Sequence, residues 1–324
     1  MNVVTALHRV STVQGWAGDP PAARRTGALA LAAVATAAGT LLWQGTRQRR
    51  LQRERTPNRE ARDLHGAAAG LCASVLADSA VEHYRARFEN PGMWAPLLTS
   101  ALGIAAGLDG AARGRLPRGL RRGVYGLACG VGVAGLGFHA YNVARRPGGF
   151  GWLNLFYAAP LGAPAALALG GALGLAGEQL AQRPHRRRWR GLPVGRLLCG
   201  LVSFGLAGTV GEAALLHYRG SFHNPLMWLP VTVPPVASAL TAQAALATNP
   251  RRDPWLTRAW LRLTALLGLG GVGLHAYGVS RAMGGWRNWQ QNLLDGPPLP
   301  APPSFTALAV AGLAALRLRE HDDD

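Results

Sequence analysis

The chain has 324 residues, 49% of them hydrophobic and only 15% charged, with 43 Gly and a formal net charge of +18 whose basic side is entirely arginine. Too few charged side chains remain to cover a soluble domain of this length, which excludes an ordinary water-soluble protein and points to a bilayer. A basic excess of this size in a soluble chain suggests nucleic acid, but the placement of the arginines along the sequence excludes that partner.

In chain order, residues 1–26 read as a tail rather than a cleavable leader: no apolar core precedes "GDPP", and Arg9 is the only early charge. Apolar runs near the 20 residues or so needed to cross hydrocarbon follow at 27–44, 66–84, 93–111, 123–144, 154–177, 193–218, 226–247, 260–280 and 303–318. Alternate connections hold 22 of the 34 arginines, including "RQRRLQRERTPNREARD", "RGRLPRGLRR" and "RPHRRRWR". The positive-inside rule makes those connections and the C-terminus cytoplasmic, so the opposite face, in a bacterial inner membrane, is periplasmic. Arg24 and Arg25 oppose that rule on the outer flank of the first run.

The same words recur. "HYRARFENPGMWAP" (83–96) returns as "HYRGSFHNPLMWLP" (217–230), "GVAGLGFHAYNVARRPGGF" (132–150) as "GLGGVGLHAYGVSRAMGGW" (268–286), and "NLFYAAPLGAP" (154–164) as "NLLDGPPLPAP" (292–302). Self-similarity at one period is the signature of duplication. The expected fold is therefore an all-α integral membrane protein with about nine transmembrane helices, a tandem parallel repeat of two four-helix units plus one extra N-terminal helix. Residues 27–63 hold the first helix and a basic cytoplasmic loop, 64–180 the first repeat, 181–320 the second and 321–324 an acidic tail. Because four spans are an even number, the repeats enter the membrane in the same direction, related by a pseudo-twofold axis along its normal.

The polar residues shared by the two halves fall at the outer ends of their spans. Asp78 and Glu212 each lie seven residues before Arg85 and Arg219, and His139 and His275 six before Arg145 and Arg281. At 1.5 Å per residue this puts two acids and two imidazoles in one layer about 9–10 Å below the outer surface. His83 and His217 follow the acids by five residues, nearer the surface and about 140° round the helix. Gly132 and Gly135, with Gly268 and Gly271, share the face of their histidine, where a helix or a flat cofactor can approach closely. The three cysteines are unmatched between the halves and read as apolar filler. Asn-Pro at 90–91 and 224–225 reads as a turn device. Trp94 and Trp228 read as interfacial anchors, and the Pro-rich loop before the last span as a lid or a spacer.

Ionisable groups inside a bilayer are costly and are functional by default. Imidazole with carboxylate suits Fe, Cu, Zn or Mn, so Asp78, Glu212, His139, His275, His83 and His217 are candidate metal ligands. The four histidines are equally candidate axial ligands of haem, which would make the protein redox-active. Plainer accounts tie Asp78 to Arg85 and Glu212 to Arg219, and rest His139 and His275 on a backbone carbonyl or a tyrosine. Two four-helix halves with paired histidines near the outer face resemble haem A synthase in outline. That likeness of layout supports the reading as a membrane protein that binds a metal or haem, although "VEHYR" and "LLHYR" stand where that family writes E-x-x-H-R. A transporter with its substrate between the repeats, or an accessory subunit bound to another membrane or periplasmic protein, are the other readings.

Overall fold

A computed structural model describes residues 59–112, 114–157, 160–182, 188–189, 191–247 and 254–320. The tail, the first expected span at 27–44 and the acidic end lie outside the described residues. Helices α1 (Arg59–Arg85), α2 (Trp94–Ala112), α3 (Arg118–Ala144) and α4 (Trp152–Tyr157) are followed by α5 (Gly162–Gln182). A two-residue hairpin, β1 (Arg188–Trp189) with β2 (Leu192–Pro193), leads into α6 (Val194–Arg219). Helices α7 (Leu229–Leu246), α8 (Trp255–Arg281), α9 (Trp289–Leu294) and α10 (Pro303–Glu320) complete the chain.

Six of these helices, α1, α2, α3, α6, α7 and α8, are long and apolar enough to cross a membrane, two of them counted together with the short 3₁₀ turn that precedes them. Their outward faces carry large apolar side chains, among them Leu98 (62% exposed), Phe138 (70%), Phe204 (70%) and Leu266 (65%). Exposed apolar surface on this scale needs a hydrocarbon neighbour, so the chain is an all-α membrane protein. Helices α5 and α10 are wrapped by the others, and in α10 apolar residues face every direction, from Phe305 to Leu318. Helix α10 packs on α1, α6 and α8, whereas α5 packs on α1 and α3.

Small residues allow this closeness. A Cβ on Gly132 would sit 2.8 Å from the Pro164 carbonyl oxygen of α5, and one on Gly268 2.7 Å from that of Pro302 before α10. With no side chain in the way, the backbones touch, and dispersion supplies the attraction that the hydrophobic effect cannot supply in lipid.

One expected span, 154–177, breaks. Short α4 ends at Tyr157 and α5 starts at Gly162, because Pro160 lacks the amide that a continuous helix needs and Pro164 fits the first turn of a new one. Helix α1 begins at Arg59, ahead of the boundary expected at 64, and α3 begins at Arg118 rather than 123.

The repeated H-Y-R-x-x-F-x-N-P-x-M-W motif builds the turn from α1 to α2 and from α6 to α7. Phe88 N–H donates to the His83 carbonyl (3.0 Å) and Arg87 N–H to that of Tyr84 (2.9 Å), closing a Schellman motif. The C-terminal glycine usual in that motif is missing: Arg87 (φ 54°) and Phe88 (φ 50°) occupy the left-handed region, as do Ser221 (55°) and Phe222 (45°). That conformation costs roughly 1–2 kcal/mol per residue. Stacking of Phe88 on Trp94 at 4.3 Å, and of Phe222 on Trp228 at 4.2 Å, offsets part of the cost. Asn90 Oδ1 accepts from Gly92 N–H (2.8 Å) and Asn224 Oδ1 from Leu226 N–H (2.9 Å). Asn90→Ala and Asn224→Ala should each lower stability by on the order of 1 kcal/mol, measured as a shift of the unfolding midpoint in mild detergent. Equal stability of either variant and the parent would show that the cap adds nothing.

Candidate functional site

The motif also fixes an imidazole. His83 Nδ1 lies 2.7 Å from the Met93 carbonyl oxygen and His217 Nδ1 2.7 Å from that of Met227, so each helix end is stapled to the start of the next helix. His139 Nδ1 lies 2.6 Å from the Pro160 carbonyl oxygen and His275 Nδ1 2.8 Å from that of Pro298. The proline break that ends the expected long span is thus what supplies the acceptor. A carbonyl oxygen only accepts, so in all four rings Nδ1 carries a proton, and in the neutral ring Nε2 is the nitrogen with the free lone pair. The carbonyl bond foreseen as the plainer account of His139 and His275 is present. It also sets the tautomer that metal-bound histidines use.

The four rings are brought together two by two, within each half rather than across the halves. His217 and His275 are 6.5 Å apart between ring centres at 62°. His83 and His139 likewise lie within electrostatic range of each other. All four are half-buried. Two imidazoles bound to one ion at roughly 2.0–2.1 Å would have ring centres roughly 6 Å apart when the two bonds are nearly opposed, close to the separation seen.

Asp78 and Glu212 form a separate group at the meeting of the halves. Glu212 lies within electrostatic range of both Asp78 and Glu82, and its carboxylate packs directly on Gly162, the first residue of α5. A helix N-terminus favours an anion there. Asp78 sits one turn beyond Ser74, whose hydroxyl donates to the Pro300 carbonyl and bonds Ser304 Oγ (2.8 Å) ahead of and within α10. Arg85 is engaged by Glu82 (2.8 Å), by the Leu294 carbonyl and by Asp295 (3.8 Å). Arg85 thus bonds Glu82 and the end of α9, and acts on the foreseen partner Asp78 through space. Gln290 of α9 also reaches the Tyr84 hydroxyl (3.0 Å), so the Pro-rich loop rests on the end of α1. Arg219 stacks in the same way over Tyr157 of α4, 5.3 Å from the ring centre.

The glycine faces below the histidines are filled by protein: Gly132 and Gly135 by Pro164 and Ala168, Gly268 and Gly271 by Pro302 and Thr306. Among the described residues, no three of His, Cys, Asp and Glu converge as a metal-binding group. The six candidates thus form two imidazole pairs and one acid pair.

A second polar cluster escaped the sequence reading. At the opposite, Arg-rich end of the first half, His65 of α1, Asp109 of α2, Arg121 and Tyr125 of α3 and Glu178 of α5 meet in the interior. Arg121 Nε donates to Glu178 Oε1 (2.5 Å) and its Nη1 to Asp109 Oδ2 (2.7 Å) and the Leu116 carbonyl (3.0 Å). His65 Nδ1 bonds the Tyr125 hydroxyl (2.8 Å), and its Nε2 lies 3.5 Å from Glu178 Oε1. His65 and Glu178 are 2% and 1% exposed, and Glu178 Oε2 is buried without a hydrogen-bond partner among the described residues. Gly110 and Gly174 lie against the His65 and Tyr125 rings, leaving no room for a side chain of their own. The signal was in the sequence as one acid, Glu178, immediately after the apolar run at 154–177.

No family pattern, curated protein or solved structure matches this chain.

Proposed function

We propose that the protein is an integral protein of a bacterial inner membrane, built from two parallel repeats, that binds a transition-metal ion at its periplasmic face through the Nε2 atoms of His83 with His139 and of His217 with His275. The observation that carries this reading is the anchoring of all four rings through Nδ1 while the rings of a half stand together. Backbone carbonyls hold each ring in one tautomer and one orientation, which removes much of the ordering cost of ligation. Two imidazoles per ion leave positions open for a substrate, since Asp78 and Glu212 stand apart from the rings as a separate pair. Copper, zinc, iron and manganese all accept imidazole nitrogen, and a redox role follows for copper or iron. Haem is disfavoured because α5 and α10 occupy the glycine faces that would have had to admit the ring.

Purification in mild detergent, with elemental analysis and an absorption spectrum, tests the reading. The parent should carry stoichiometric Fe, Cu, Zn or Mn without a Soret band, and His139→Ala/His275→Ala should lose it while still inserting. A Soret band would replace the metal by haem. Absence of both, or full metal retention in the double variant, would end the assignment and leave the transport and accessory readings ahead.

A further inference from the structure

The buried cluster at the Arg-rich end has a charge imbalance. Its ionisable members are His65 on α1, Asp109 on α2, Arg121 and Tyr125 on α3 and Glu178 on α5. From the same end of the bundle, α10 contributes Arg317, which is held by Glu60 and Asp63 of α1. Arg121 is always charged and has two carboxylates bonded to it. With a neutral imidazole the cluster would, among the described residues, carry one net negative charge, on side chains no more than a tenth exposed. A lone charge in such surroundings is expensive, and binding one proton removes it.

Two adjacent positions are shaped to take that proton. His65 Nε2 faces Glu178 Oε1 at 3.5 Å, and Glu178 Oε2 is buried with no partner among the described residues. Protonated His65 would donate through Nδ1 to the Tyr125 oxygen and through Nε2 to Glu178; with the proton on Glu178 instead, the imidazole is neutral and its Nε2 accepts. We infer that His65 and Glu178 form a binding site for one exchangeable proton, closed by Tyr125 on one side and by the Arg121–Asp109 pair on the other. No bond other than that to the proton forms or breaks. Along α1 the site lies 18 residues from His83, about 27 Å at 1.5 Å per residue, so it sits near the opposite membrane surface from the imidazole pairs. The second half has no copy: the positions matching His65, Asp109 and Glu178 are Cys199, Gln243 and Leu316. The inference stands independently of any metal at the other end.

Infrared difference spectroscopy of the full-length protein in detergent, stepped from about pH 5 to about pH 9 to bracket imidazole and buried carboxyl titration, reads this directly. Beside the signals of Asp78, Glu212 and the outer histidines, assigned from their own Asn, Gln and Ala variants, the parent should show one further protonated-carboxyl or imidazolium signal that titrates in this range and shifts in D₂O. Glu178→Gln and Asp109→Asn each remove one negative charge and should each abolish it, so that one well-folded variant suffices. Absence of the signal, a signal that does not change across the range, or one that persists in both variants would overturn the site.

Discussion

Arg121→Met should destabilise the protein by about 3–5 kcal/mol, read as a large fall in the midpoint of thermal unfolding in mild detergent. Arg121 is the one guanidinium bonded to both Glu178 and Asp109, and its side chain is only 9% exposed. Removing it strips Glu178 of its guanidinium donor and leaves Asp109 with the Leu116 amide alone (3.3 Å), both in the protein interior. The loss is mainly the cost of stranding them and not the worth of the ion pair. Arg121→Met combined with Glu178→Gln and Asp109→Asn should therefore recover most of the stability. The penalty of the single variant should also shrink in acid, where the stranded carboxyls take up protons in place of the guanidinium. A single variant as stable as the parent, or a triple variant no better than the single, would show that Arg121 does not balance these acids.

The reason this cluster stayed hidden while the other end was legible lies in where each residue falls along its helix. Asp78, Glu212 and the four histidines come in matched pairs, and a chain that repeats itself marks them. His65, Asp109, Arg121 and Glu178 have no such copies and sit at the very limits of apolar runs. There, an ionisable residue reads as the beginning of a loop. Arg121 in particular reads as a cytoplasmic marker in "RGRLPRGLRR", yet α3 starts three residues before it and turns its side chain inward. Hydropathy reports the mean over a window and cannot say which way one side chain at its edge points. The reverse holds for the motif around His83. Its residue types predict a turn, an interface and a polar group, but not that the turn supplies the carbonyl that holds the imidazole. That bond depends on two left-handed residues at 87 and 88 in a motif that usually uses glycine. Likewise the glycine faces are plain in the sequence, while what they touch is a matter of how α5 and α10 fold back, which periodicity alone leaves open.

What they touch fixes a second large effect, of opposite sign at neighbouring positions. Gly132→Ala would place a methyl 2.8 Å from the Pro164 carbonyl oxygen and 2.9 Å from the Ala168 Cα; Gly268→Ala would place one 2.7 Å from the Pro302 oxygen and 2.8 Å from the Thr306 nitrogen. These neighbours are backbone, which cannot rotate away, so the two helices must separate at a cost of about 1–3 kcal/mol or more. Among the described residues, Gly130 and Gly270, two residues away on the same helices, have nothing within 4 Å of such a methyl. Alanine there should be neutral or stabilise by up to about 1 kcal/mol, because glycine is the poorer helix former. The crowded variants should also disturb the histidines, since His139 and His275 rest on the Pro160 and Pro298 carbonyls just ahead of the helices that would be pushed off. Losing those bonds frees the rings to turn and change tautomer, so Gly132→Ala and Gly268→Ala should weaken the proposed metal binding while Gly130→Ala and Gly270→Ala leave it intact. Unfolding midpoints and metal content of the four variants decide the matter. Equal behaviour within each pair would mean that close backbone contact holds neither the helices nor the imidazoles in place.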